Sequence, residues 1–140
     1  MKIAGLQKVS LIDYPGKIAC TLFTQGCNFR CPFCHNPELL ANESTSEYIE
    51  ESYFWNFLEN RKGKLDGVCI TGGEPTLQNN LVEFINKIVN LGFKVKLDSN
   101  GTDPITLKTL IAQKLIDYIA MDIKGPKVKY DKISQTQNIY

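Results

Sequence analysis

Apolar positions along this chain alternate between two periods, and the alternation predicts its architecture. Ile18-Ala-Cys-Thr-Leu-Phe-Thr24 is a short, mostly apolar run that stops at turn residues, the pattern of a buried parallel strand. Gly67–Thr71, Lys94–Asp98 and Tyr118–Asp122 repeat it. Between these runs the spacing becomes helical. Phe54, Phe57 and Leu58 recur on one face of residues 51–61, with Trp55 beside them as packing, and Lys62-Gly63-Lys64 ends that helix. Leu81, Phe84, Ile85, Ile88 and Val89 mark a second helix, which Asn79 or Asn80 can cap and Gly92 closes. Pro104 fits the first turn of a third, carrying Leu107, Leu110 and Ile111. The opening, Lys2 to Gly16, reads as a strand or hairpin with Asp13-Tyr14-Pro15-Gly16 as its turn.

Strand, helix, strand, helix, strand, helix, strand is the order of right-handed βαβ units, so the fold class is α/β with a parallel sheet. Polar motifs follow each strand: a cysteine-rich loop, Gly72-Gly73-Glu74, Asp98-Ser99-Asn100 and Asp122-Ile-Lys124. The carboxyl edge of a parallel sheet is where ligands bind. Four strand ends agreeing carry more weight than any one motif.

The 140 residues suffice for one domain with a real core, and 43% hydrophobic residues is ordinary for a globular chain. A net charge of +1 implies neither a nucleic-acid nor a membrane partner. No apolar run approaches the roughly 20 residues of a membrane span, and no cleavable signal is visible. Five cysteines without such a signal point to the reducing cytoplasm.

Cys27, Cys31 and Cys34 are the chemically loaded positions. Gly26 before them, and Pro32 and Pro37 within and after, make their segment a loop, which can turn three thiolates inward. Short thiolate spacings read as zinc or iron–sulfur ligation, and three ligands leave a position open for chemistry. A disulfide suits an odd cysteine count poorly. Structural zinc usually takes separated ligand pairs, and His35, directly after Cys34, is awkwardly placed to complete one. Iron–sulfur ligation fits best. Cys20 and Cys69 lie inside strands and read as small core residues.

The C-x3-C-x2-C spacing, with aromatic Phe33 before its last cysteine, resembles the cluster loop of the radical S-adenosylmethionine (SAM) enzymes. The longer string from Gly5-Leu-Gln-Lys-Val-Ser-Leu-Ile-Asp-Tyr-Pro-Gly16 to Cys34-His-Asn-Pro-Glu38 is similar to their glycyl-radical-enzyme activases, and most to those serving anaerobic ribonucleoside-triphosphate reductases. The resemblance implies a partial (β/α) barrel with its first four βα units present, in one core domain over residues 1–140. Residues 1–16 would be a leader strand and turn, 17–124 the βα units, and 125–140 an incomplete connection, since longer members continue. The chain is then either a fragment or a minimal member.

By the same resemblance, Cys27, Cys31 and Cys34 would hold a 4Fe-4S cluster whose fourth iron is chelated by SAM. Gly72, Gly73 and Glu74 match the motif for the SAM amino group. The glycines would let backbone approach the ligand and Glu74 would face the ammonium. Phe33 would lie near the adenine or simply pack. Ser99 and Asn100 would lie near the ribose or carboxylate, and Lys124 near the carboxylate. Asp98 and Asp122 would share a cation or Lys124, because unpaired like charges repel. Asp13, His35 and Asn36 would face the partner. The expected partners are a glycyl radical enzyme and a low-potential electron donor such as flavodoxin or ferredoxin. Two other readings stay open: a radical SAM enzyme acting on a small molecule, for example in deazapurine formation, and a non-catalytic iron–sulfur module.

Overall fold

The structure, a computed structural model, describes residues 1–40 and 47–136. Parts of two weakly patterned stretches, 39–47 and 127–140, therefore lie outside the described residues. Five strands, β1 (Ile3–Ser10), β2 (Ala19–Thr24), β3 (Gly67–Gly72), β4 (Lys94–Ser99) and β5 (Tyr118–Met121), form one sheet in chain order. β1 runs antiparallel to β2, and the other three pairings are parallel. Helices α1 (Glu51–Glu59), α2 (Leu81–Asn90) and α3 (Pro104–Ala112) fill the crossovers, and a short α4 (Tyr130–Ser134) follows β5.

Sequential strand order with crossovers of one hand puts every crossover helix on the same face. The core shows this: Phe54 and Leu58 of α1, Phe84 and Ile88 of α2, and Leu107 and Leu110 of α3 pack on Cys20, Leu22, Val68, Ile70, Val95 and Leu97. Fully burying one such side chain contributes about 1.5–3 kcal/mol, so this face holds the fold together. A sheet wound on one side only is a segment of a (β/α) barrel, not a doubly wound fold.

The opposite face is polar. Thr21, Cys69, Lys96 and Tyr118 stand in one register row across β2 to β5. The β1–β2 turn folds over them, made by Lys17 N–H donating to the Tyr14 carbonyl (3.1 Å) with Gly16 at φ +70°. Tyr14 is thereby buried, its ring centroid 6.3 Å from that of Tyr118. Cys20 is a core residue as expected. Cys69 is buried too, but it points the other way, into the polar row.

Asp103 caps α3, accepting from the Ile105 and Thr106 amides ahead of Pro104 at the first helical position. Asn80 precedes α2 without capping it, because its amide donates to Glu51 Oε1 (3.4 Å) instead. Gly92, at φ +93°, ends α2. Among the described residues, no helix is long and apolar enough to cross a membrane.

Candidate active site

The loop after β2 closes on itself at its base. Gly26 N–H donates to the Leu39 carbonyl (2.8 Å) and the Gln25 side chain to the Glu38 carbonyl (3.1 Å). Within it, Cys34 N–H donates to the Cys31 carbonyl (3.1 Å), and the Phe29 amide donates to Cys27 Sγ (3.4 Å). A small apolar cluster of Cys27, Phe29, Cys31 and Tyr130 backs the loop, with Phe29 and Tyr130 edge to face at 6.0 Å. Arg30 N–H donates to the Ser134 carbonyl (2.8 Å). Within the stretch read as an incomplete connection, α4 (Tyr130–Ser134) thus braces the cysteine loop. The sequence signal was the pair Tyr130 and Ser134, one helical turn apart in a polar tail.

A cavity of about 430 Å³ opens at the carboxyl edge of the sheet. Cys27, Cys31 and Cys34 form one wall, and residues 72–74, 98–100 and 122–124 line the rest. All four strand ends singled out in the sequence therefore meet in one place. Phe33, 54% exposed, lines the cavity together with His35 and Asn36. Asp13 does not line it. Its carboxylate accepts from Thr21 Oγ1 (2.6 Å), and hydrogen bonds from Thr21 and Ser10 hold its pKa below the usual value.

The two glycines at the end of β3 have a reason the sequence did not reveal. A Cβ on Gly73 would lie 2.0 Å from the Gly26 carbonyl oxygen, and one on Gly72 would lie 2.3 Å from Thr24 N. Gly73 N–H donates to the Thr24 carbonyl (2.9 Å) and Glu74 N–H to that of Gly26 (2.8 Å). Gly72 and Gly73 let this loop lie directly on the base of the cysteine loop.

Glu74 is 1% exposed, and its donors all come from the protein. Oε1 accepts from Thr76 N (3.2 Å), Thr76 Oγ1 (2.6 Å) and Ser99 Oγ (2.8 Å), while Oε2 accepts from Asn100 N (2.7 Å). Oε1 is saturated and Oε2 keeps one acceptor position. Glu74 joins β3 to β4 at the cavity floor.

Asp98 and Asp122 do not share a lysine. Asp98 pairs with Lys96, which also donates to Cys69 Sγ (3.6 Å), while Asp122 pairs with Lys124 at 2.6 Å. Burial pulls the Lys96 ammonium down, but the hydrogen bond to Asp98 and the nearby acidic groups outweigh it, leaving its pKa above 10.5. That contribution to stability is complete below pH 10.5 and is lost as pH rises through the raised value. Breaking a fully buried pair costs about 3–5 kcal/mol; with Asp98 partly exposed, Lys96→Met is expected to cost about 2 kcal/mol at pH 7. Urea unfolding measures it, and an unchanged midpoint would show the pair to be idle.

Burial pushes the Cys27 and Cys31 thiols up, and Lys124 pulls Cys31 partly back. A metal centre would have to displace those protons. Among the described residues, no three cysteine, histidine or acidic side chains converge on a single ion position. A cubane offers a separate iron to each thiolate, so it needs three sulfurs around one cavity, not around one point. The donor set and the cavity fit such a cluster.

A protein of Methanocaldococcus jannaschii described as a glycyl-radical enzyme activating enzyme is 39% identical over 130 residues, covering 91% of this chain and 52% of its own length. The pyruvate formate-lyase-activating enzyme of Listeria monocytogenes is 32% identical, with 88% and 53% covered. The 7-carboxy-7-deazaguanine synthase of Thermoplasma acidophilum is 30% identical, with 78% and 48% covered. The chain spans about half the length of these relatives. The crystal structure of QueE from Escherichia coli superposes with a TM-score of 0.50 at 20% identity, covering 70% of this chain and 49% of that one, a likeness of fold. Residues 21–139 match the model of the radical SAM superfamily, whose members use a 4Fe-4S cluster and SAM; the chain belongs to that superfamily.

Proposed function

We propose that this chain is the cofactor-binding part of a radical SAM activase that generates a glycyl radical on a partner enzyme, an anaerobic ribonucleoside-triphosphate reductase. The observation that carries the reading is the single cavity walled by Cys27, Cys31 and Cys34 and floored by the ends of β3, β4 and β5. Similarity to glycyl-radical enzyme activating enzymes supports a protein substrate. The residues Ser10–Gly16 and His35–Glu38 favour an activase, and the reductase as partner rests on the resemblance of the longer string from Gly5–Gly16 to Cys34–Glu38.

Cys27, Cys31 and Cys34 would hold the cluster as thiolates. When bound, a reduced cluster would supply one electron for cleavage of the bond between the SAM sulfonium and its 5′ carbon, and the hydrogen lost by the partner's glycine would end in 5′-deoxyadenosine. The chain's own residues bind and orient SAM. The free acceptor position of Glu74 Oε2 and the backbone at Gly72 and Gly73 suit its ammonium. Ser99 and Asn100 suit the ribose or carboxylate, and Lys124, loosed from Asp122, suits the carboxylate. Asp98 and Asp122 support them, and Phe33 is free to stack on adenine. His35 and Asn36, which line the cavity, would meet the partner, and so would Asp13, which lies outside it. A flavodoxin or ferredoxin would supply the electron.

The test uses the full-length protein with reductant, SAM and a reductase α-deuterated at its glycine. Deuterium in 5′-deoxyadenosine and a stable glycyl radical are expected. SAM cleavage without label transfer, with hydrogen lost instead from a small molecule, would favour the second reading, chemistry like that of the deazaguanine synthases.

A further inference from the structure

Two side chains outside the cavity tie together loops that carry its walls. Asn28, between the first two cysteines, donates from Nδ2 to Thr102 Oγ1 (2.8 Å) and accepts at Oδ1 from Asn100 Nδ2 (2.8 Å). Thr102 donates from its amide (3.1 Å) and its hydroxyl (2.7 Å) to Asn100 Oδ1. The triangle is closed, so each of the three side chains fixes the other two. It spans 72 and 74 residues of sequence. Asn100 N–H and Ser99 Oγ then bind Glu74. One run of hydrogen bonds therefore crosses from the cysteine loop, through the loop after β4, to the loop after β3. Asn28 and Thr102 are not among the residues that line the cavity.

We propose that Asn28 and Thr102 are positioning residues: their triangle with Asn100 sets the distance between the cysteine ligands and the Glu74–Ser99–Asn100 group that receives SAM. The role in SAM binding rests on the cofactor reading above; the latch itself does not. The cysteine loop has no strand ladder to hold it, and Asn100 without these partners could turn its amide away from the cavity.

Thr102→Val keeps the shape and removes one donor and one acceptor, Asn28→Ala removes the other corner, and Thr102→Ser keeps the hydroxyl. In the metal-free chain, the first two variants are expected to speed hydrogen exchange at residues 27–34 about tenfold, with Thr102→Ser matching the parent. In reconstituted, reduced protein, the same two should bind SAM about tenfold more weakly, read from the cluster's electron paramagnetic resonance, at unchanged iron content.

Unchanged exchange in both Thr102→Val and Asn28→Ala overturns the latch, with or without a cluster. Faster exchange with unchanged SAM affinity overturns the positioning role. Faster exchange spread evenly over the sheet would mean general destabilisation and would also overturn it. A parent chain that takes up no cluster sinks the cofactor reading instead, and the exchange result alone then decides the latch.

Discussion

Replacing any one of Cys27, Cys31 and Cys34 by Ala is expected to abolish an iron–sulfur cluster that the parent chain takes up on anaerobic reconstitution, at about four irons per chain. Cys20→Ala and Cys69→Ala should retain it. All five thiols are free, so cysteine count alone does not separate them. Position does. The three loop cysteines line one cavity, whereas Cys20 lies in the apolar core and Cys69 is held between Lys96 and Asp98 within the sheet. Iron and sulfide analysis, with brown absorbance bleached by dithionite, reads the result. Stoichiometric zinc in anaerobically purified parent protein, with no iron–sulfur signal after reconstitution, would falsify the assignment.

Gly73→Ala is expected to be severely destabilising. The added carbon meets a backbone carbonyl at 2.0 Å, and no rotamer change relieves a clash with main chain. Relief requires the loop to lift, which breaks the hydrogen bonds from Gly73 to Thr24 and from Glu74 to Gly26. We expect a loss of about 3 kcal/mol or more in urea unfolding, together with impaired cluster uptake, because the base of the cysteine loop moves too. Gly63→Ala is the control: its φ is +72° but nothing lies within 4 Å of the new carbon. Strain alone there should cost about 1–2 kcal/mol and leave iron content untouched. Gly73 is not at positive φ, so a Gly73→Ala loss no larger than that of Gly63→Ala, with normal iron content, would show that the loop absorbs the methyl group without lifting.

Strands, crossover helices and the ligand-bearing edge were legible in the sequence because each depends on local period and on where a polar motif interrupts it. Partnerships were less legible. Glu74 looks like a lone acid after two glycines; its donors Ser99 and Asn100 come from the next strand end, and only the sheet brings them together. Gly72 and Gly73 were read as letting backbone approach a ligand; they line the cavity, and the sequence did not show that they also make room for the chain's own backbone at Thr24 and Gly26. For Asp122 the neighbouring Lys124 was named from the sequence, but the matching signal for Asp98 went unused. Lys96 and Asp98, and likewise Asp122 and Lys124, are two residues apart, the same-face spacing of extended chain, so each acid had a lysine beside it. Asn28 and Thr102 are ordinary loop residues by type, and no periodic pattern could have paired them.

The strand order of the sheet also has a kinetic consequence. Every strand pairs with the one just before it in the sequence, and β1 and β2 are joined directly as an antiparallel pair. No strand has to wait for a partner beyond the next strand, although the β2–β3 closure, Ala19 to Gly67, is a long one, so the order of synthesis is also an order of assembly. The hairpin can form as soon as it clears the ribosome, and β3, β4 and β5 can then dock one at a time, each adding the helix before it to the growing core. The polar edge is completed in the same sequence, with the cysteine loop laid down before the three strand ends that close the cavity around it.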